Sequence, residues 1–234
     1  MSFIFTHDYS FDYVAWLQVY EQIDLDKKQD LEKLQNKIIQ EKNAAFACFF
    51  AMSINYKPYL MQKVILETKI PKYALLFAEK VDEADIKSLQ EVVLSSKNLK
   101  YISRFGCFVN KADKKKIENI IIRSKNAKYA HMFLKHVSGA NLNKLKPIIL
   151  DSKKPRYLFE LAKHCSSKKE IKKIEDLILE SNCFLYIRLF ADKIKQANVE
   201  RIEQHVLENC TSEQIKEFAK HVRNSQMKKF LLVA

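Results

Sequence analysis

The residues best placed to do chemistry are lysines that return at a fixed interval. Lys69 and Lys72, Lys97 and Lys100, Lys125 and Lys128, and Lys153 and Arg156 each stand three apart, and the pairs recur every 28 residues. Ammonium and guanidinium groups hold carboxylate or phosphate oxygens, and a row of them suits a polyanion better than a small molecule. A second basic group comprises Lys111, Lys114, Lys115 and Lys116, with Lys135, His136, Lys163 and His164 further along. His136, His164 and His221 share one register position, beside Lys135, Lys163 and Lys220. At least one repeat apart, they are too distant to ligate one metal ion, whose nitrogen ligands sit about 2 Å away. They read as additions to a basic face, with a pH-dependent contact as the alternative role.

No other chemistry is spelled out. The chain has no Gly-rich phosphate loop, no HExxH and no nucleophile elbow. Cys165 follows His164, but adjacent residues on a helix do not face each other. Cys48, Cys107, Cys165, Cys183 and Cys210 are odd in number and include no CxxC pair. They read as free thiols in a reducing compartment, neither a disulfide framework nor a zinc site. The expectation is a protein that is not an enzyme and needs no cofactor or metal.

The charge is uneven. Of the net +13, residues 97–173 supply 21 Lys/Arg against 5 Asp/Glu, whereas residues 1–56 carry a net −3 and residues 57–96 and 174–234 balance. Lysine at a turn after a helix is also an ordinary solvated residue that suits the helix dipole. The concentration in the central repeats is what favours an anion-binding surface over mere composition.

These residues must be held by helices. Two Gly and four Pro in 234 residues are too few for a sheet protein rich in tight turns, and 47% hydrophobic residues argue against disorder. Tyr73, Ala74, Phe77, Ala78 and Val81 lie on one helical face. The same pattern begins at Tyr101, Tyr129 and Tyr157, after one inserted residue at Tyr186, and in related form at Phe46 and Ile215. The spacing predicts these tyrosines as core residues rather than base-stacking platforms. A second helix follows each, carrying Ile86/Leu89/Val92/Val93/Leu94, Ile117/Ile120/Ile121/Ile122, Leu142/Leu145/Ile148/Ile149/Leu150, Ile171/Ile174/Leu177/Ile178/Leu179 and Val199/Ile202/Val206/Leu207, with earlier copies at Leu31/Leu34/Ile38/Ile39 and Met61/Val64/Ile65/Leu66. Asp85, Asp113, Asn141 and Asn198 are predicted N-caps of second helices, and Asn98 and Asn126 of first helices, with Pro71 and Pro155 in the first turn. Pro147 falls inside a second helix, which is expected to kink or start late.

The phrase Ser96-Lys97-Asn98-Leu99-Lys100-Tyr101 returns as Ser124-Lys125-Asn126-Ala127-Lys128-Tyr129. Residues 57–222 thereby resemble the short tandem helical repeats of the form SKNxKYAxxFAKxV in bacterial, phage and giant-virus proteins, HEAT-like in general design. The resemblance carries no assigned activity. The predicted fold is all-α, a right-handed α-solenoid of about seven short helix pairs plus a closing helix, because no single repeat can bury its apolar face alone. It is read as a single domain over 1–234: a divergent first unit at 1–42 containing Trp16, repeats at 43–212, and a cap at 213–234 ending in Phe230-Leu231-Leu232-Val233. With stacked helices about 8–10 Å apart, the four lysine rungs would form a ridge about 30 Å long, its rungs about one Debye length apart.

The sequence thus points to a non-catalytic interaction module that binds an acidic partner protein. The alternative is nucleic-acid binding through phosphate contacts from the lysine ladder, with steep salt dependence. A third reading is weak self-association of the acidic first residues with the basic centre of another copy. The N-terminus has no signal-peptide pattern and no apolar run reaches membrane-spanning length, so integral membrane association is not expected and a cytoplasmic location is.

Overall fold

The computed structural model describes residues 10–25, 27–222 and 225–227. Among these the chain is all-α, with fifteen helices and no strand. They are α1 (Ser10–Tyr20), α2 (Lys28–Gln40), α3 (Ala44–Ser53), α4 (Pro58–Thr68), α5 (Pro71–Lys80), α6 (Ile86–Ser95), α7 (Leu99–Phe108), α8 (Lys114–Ser124), α9 (Ala127–His136), α10 (Leu142–Asp151), α11 (Pro155–Ala162), α12 (Lys168–Glu180), α13 (Phe184–Lys193), α14 (Val199–Asn209) and α15 (Ser212–His221). The predicted closing segment 230–233 lies outside the described residues. The chain divides into two compact units, Met1–Ile117 and Glu118–Ala234, with the division inside α8.

In the first unit α3 packs on α4 and α5, α5 on α6 and α7, and α4 on α6. In the second, α9 packs on α10 and α11, α11 on α12 and α13, and α13 on α14 and α15. The residues that face inward recur with the repeat. Phe50, Phe77, Phe105, Phe133, Phe190 and Phe218 are all buried to within 1% exposure. Ile38, Ile65, Val93, Ile121, Ile149, Ile178 and Val206 on the even-numbered helices are equally buried. A buried Phe or Ile side chain contributes about 1.5–3 kcal/mol, so these two columns dominate what holds each unit together.

Helix α1 departs from simple repetition. Trp16 is fully buried, edge-on to Phe46 and Phe50 at ring separations of 5.7 and 6.3 Å. It packs on α3, yet Asp12 reaches past α3 to Lys72 and Tyr73 on α5. Helix α3 (AAFACFFAMS) is apolar on every side because α1, α2, α4 and α5 surround it.

The predicted caps are in place. Asp85, Asn141 and Asn198 accept from the backbone N–H three residues on, as does Asp113 from Lys116, and Asn98 and Asn126 accept from Lys100 and Lys128. Pro71 and Pro155 open α5 and α11. Helix α10 begins on register at Leu142 despite Pro147 within it, so the late start expected from that proline does not occur. Its cap at Asn141 fixes the start five residues before the ring comes into play.

A second set of bonds joins one repeat to the next. Gln62 Oε1 accepts the Asp85 N–H at 2.9 Å, Gln90 that of Asp113 at 2.8 Å, and Glu118 that of Asn141 at 2.6 Å. Glu175 accepts that of Asn198 at 2.9 Å and Glu203 that of Gln226 at 2.7 Å. Every bond spans 23 residues. In the first four the N-cap amide of one even-numbered helix is thus satisfied from the middle of the preceding one, and in the fifth the amide lies in the turn after α15. Lys146 occupies the same register position as a donor and pairs instead with Glu170.

Candidate functional site

The lysine turns are built from the Ser-Lys-Asn phrase one residue at a time. Ser96 Oγ donates to the Val93 carbonyl at 2.6 Å and accepts the Asn98 N–H at 3.1 Å, closing α6. Asn98 then caps α7. Lys97, between them, is left to reverse the chain, with φ of 54°. Ser124, Lys125 and Asn126 repeat this, with hydrogen bonds of 2.6 and 3.3 Å and φ of 50° at Lys125. Lys42, Lys69 and Lys153 occupy the equivalent position with φ of 48°, 53° and 50°, and Asn182 completes the column at 50°.

The left-handed conformation crowds Cβ against the following carbonyl and costs a non-Gly residue about 1–2 kcal/mol; Gly and Asn are the types that tolerate it. Five of these six positions nevertheless carry lysine. Backbone preference does not account for that choice.

Lys69, Lys97, Lys125 and Lys153 are all exposed. At the two ends of the column the turn lysine meets a carboxylate of the next repeat: Lys42 with Glu67 at 3.2 Å and Lys153 with Glu180 at 3.8 Å. Lys69, Lys97 and Lys125 make no ion pair among the described residues. Ser95 stands in the first unit where Glu67 would predict an acid for Lys69.

The second member of each rung sits beside a tyrosine. Lys72, Lys100 and Lys128 place Nζ 5.0, 5.7 and 5.6 Å from the ring centres of Tyr73, Tyr101 and Tyr129. At the fourth rung Lys154, rather than Arg156, lies over Tyr157 at 5.8 Å, and Arg156 is exposed. The tyrosines are less buried than their spacing predicts. Tyr73 is buried, but Tyr101, Tyr129, Tyr157 and Tyr186 are half-buried, because the apolar residue that follows each one (Ile102, Ala130, Leu158, Ile187) takes the innermost place and leaves the phenol at the edge.

Lys72 is already engaged. Its ammonium donates to Asp12 Oδ2 at 2.9 Å, and the Tyr73 hydroxyl donates to the same oxygen at 2.5 Å. Burial pushes the Asp12 carboxyl up, but these two donors outweigh it and hold it below the ordinary carboxylate range. The arrangement recurs with the residue order reversed: Glu32 Oε1 accepts from the Tyr56 hydroxyl at 3.0 Å and from Lys57 at 3.3 Å. The Tyr56 and Lys57 bonds hold that carboxyl low as well.

The secondary cluster is split. In the first unit Lys111 lies in the turn after α7 with φ of 59°, and Lys114, Lys115 and Lys116 crowd the first turn of α8 without an acidic residue there, against the helix dipole. Lys116 pairs with Glu91 at 2.7 Å. In the second unit Lys135, His136 and His164 line one surface cavity of about 420 Å³ together with Gly139. Lys163 is held by Glu160 at 2.9 Å and lies over Phe159. Among the described residues no group of three His, Cys, Asp or Glu side chains could hold a metal ion. Burial pushes the thiols of Cys48, Cys107, Cys165 and Cys210 up, Cys107 to about 12, so none of these four is an activated thiolate.

Sequence reasoning missed Asp12 and Glu32 as internal partners of the basic rungs, since neither contact has a sequence pattern. It also missed His131, which is buried and stacked on Tyr157 at 5.0 Å. The spacing of Gln62, Gln90, Glu118, Glu175 and Glu203 was available in the repeat and marks the joints. No described helix is long and apolar enough to cross a membrane.

Compared with known proteins, the chain matches no family model, no curated protein and no solved structure. The case for its function therefore rests on its own surface.

Proposed function

We propose that the chain is a non-catalytic interaction module, a tandem array of helix pairs of the α-solenoid kind, whose turn lysines bind an acidic partner protein. The observation that carries this reading is the column of left-handed lysines. Five strained backbone positions hold a residue that the backbone disfavours, and three of the five make no ion pair among the described residues. Strain that a fold does not require is most economically explained by a task of the side chain. Carboxylates are the preferred ligand because the chain itself meets its basic turns that way, at Glu67 and Glu180.

The test is fluorescence anisotropy of a labelled poly-glutamate peptide, and of labelled single- and double-stranded DNA and RNA, over a salt series. The peptide is expected to bind, and replacing Lys97, Lys100, Lys125 and Lys128 with Glu is expected to abolish binding while the far-ultraviolet circular dichroism stays unchanged. Nucleic acid binding alone, falling steeply with salt as phosphate contacts require, would replace this reading with the phosphate one. Peptide binding unchanged in the four-lysine variant would remove the turns from the function.

A further inference from the structure

A Lys–Tyr pair that holds a carboxylate in the first unit recurs in the second, where no carboxylate meets it among the described residues. Around Asp12, an ammonium and a phenol hydroxyl from consecutive residues, Lys72 and Tyr73, converge on one carboxylate oxygen at 2.9 and 2.5 Å. The ammonium lies within 3.5 Å of the hydroxyl and 5.0 Å from the ring centre, so the two donors sit side by side. Around Glu32, Tyr56 and Lys57 converge on one oxygen at 3.0 and 3.3 Å, again with the ammonium near the ring, at 4.8 Å. A Lys–Tyr neighbour pair at the edge of a helix is therefore a carboxylate-holding device in this chain, used twice with different backbone order.

Lys128 and Tyr129 stand two repeats beyond Lys72 and Tyr73, 56 residues on. They occupy the same first turn of their helix and keep the same ammonium-to-ring relation, at 5.6 Å. Lys128 is exposed and Tyr129 half-buried, and no carboxylate meets either of them among the described residues. We infer that Lys128 and Tyr129 form a clamp that receives one Asp or Glu side chain of an acidic partner polypeptide, the phenol hydroxyl and the ammonium both donating to a single oxygen. This deepens the proposed function and rests on it. It adds a requirement that charge attraction alone does not make, namely the tyrosine hydroxyl.

The hydroxyl is what the experiment removes. Tyr129→Phe keeps the ring and the net charge, and hydrogen bonds to charged groups are strong enough that its loss should weaken poly-glutamate binding by about tenfold. Lys128→Ala should weaken it as well, and the double variant should lose less than the product of the two single losses, because both donors serve one oxygen. Wild-type affinity in Tyr129→Phe would overturn the clamp and leave general attraction to the lysine turns intact. Failure of the wild type to bind the peptide at low salt would overturn both.

Discussion

A lysine in the left-handed region is a residue whose side chain and backbone want different things. At Lys125 the Ser124 and Asn126 side chains fix the two flanking helix ends, so the reversal falls on the one residue between them. Lys125→Gly should relieve that conflict and stabilise the protein by about 1 kcal/mol once the greater chain entropy of glycine is subtracted. The expected observation is a higher urea midpoint with unchanged slope, together with weaker binding of the acidic peptide. A lower midpoint would mean that the lysine supports the fold. Asp12 gives the second test at this scale. Its folded value lies below its unfolded one, so its contribution to stability is complete above the ordinary carboxylate value and is lost as pH falls through the folded value. Asp12→Asn should accordingly lower stability at neutral pH and flatten the acid limb of the stability curve below about pH 4, read from urea midpoints across pH.

At the scale of the helix, the repeat is held by its buried columns and by the joints between one even-numbered helix and the next. Glu203 is nearly buried and accepts the Gln226 N–H, and Gln62 and Gln90 perform the same task with a neutral amide. Glu203→Gln should therefore change stability by under about 0.5 kcal/mol, while Glu203→Ala, which removes the acceptor of the Gln226 N–H, should cost about 0.5–1.5 kcal/mol. Hydrogen exchange at the Gln226 amide separates the two, with protection kept in the first variant and lost in the second. The helices themselves were legible in the sequence. Period, caps and first-turn prolines are local signals, and Asn98, Asn126, Pro71 and Pro155 all act where their register places them. Tyr101, Tyr129, Tyr157 and Tyr186 were misjudged because spacing identifies a helical face but not how deep on that face a ring sits; the Ala, Ile or Leu that follows each takes the deepest position.

Over the whole molecule, what could be read was whatever repeats, and what could not was whatever happens once. The charge surplus of residues 97–173 is plain in the sequence, and so is the all-helical class. The filling of Lys72 and Tyr73 by Asp12 was not, because it joins residues 60 and 61 apart through the docking of α1, a helix outside the repeat pattern. The lysine strain was hidden for a different reason. A Ser-Lys-Asn phrase does not show that both neighbours are committed to helix ends until the hydrogen bonds are drawn.

The joints have one more implication. Each reaches only 23 residues ahead, and the acceptor Gln90 and the cap Asp85 lie within one 28-residue span, Lys63 to Gln90. Copying that span in tandem would give the new Gln90 the original Asp113 to hold and the old Gln90 the new Asp85, with no amide stranded. Nothing in the bonding between repeats counts how many there are. Such a chain can lengthen by duplication without first inventing a new interface, and each added copy brings another lysine turn with it.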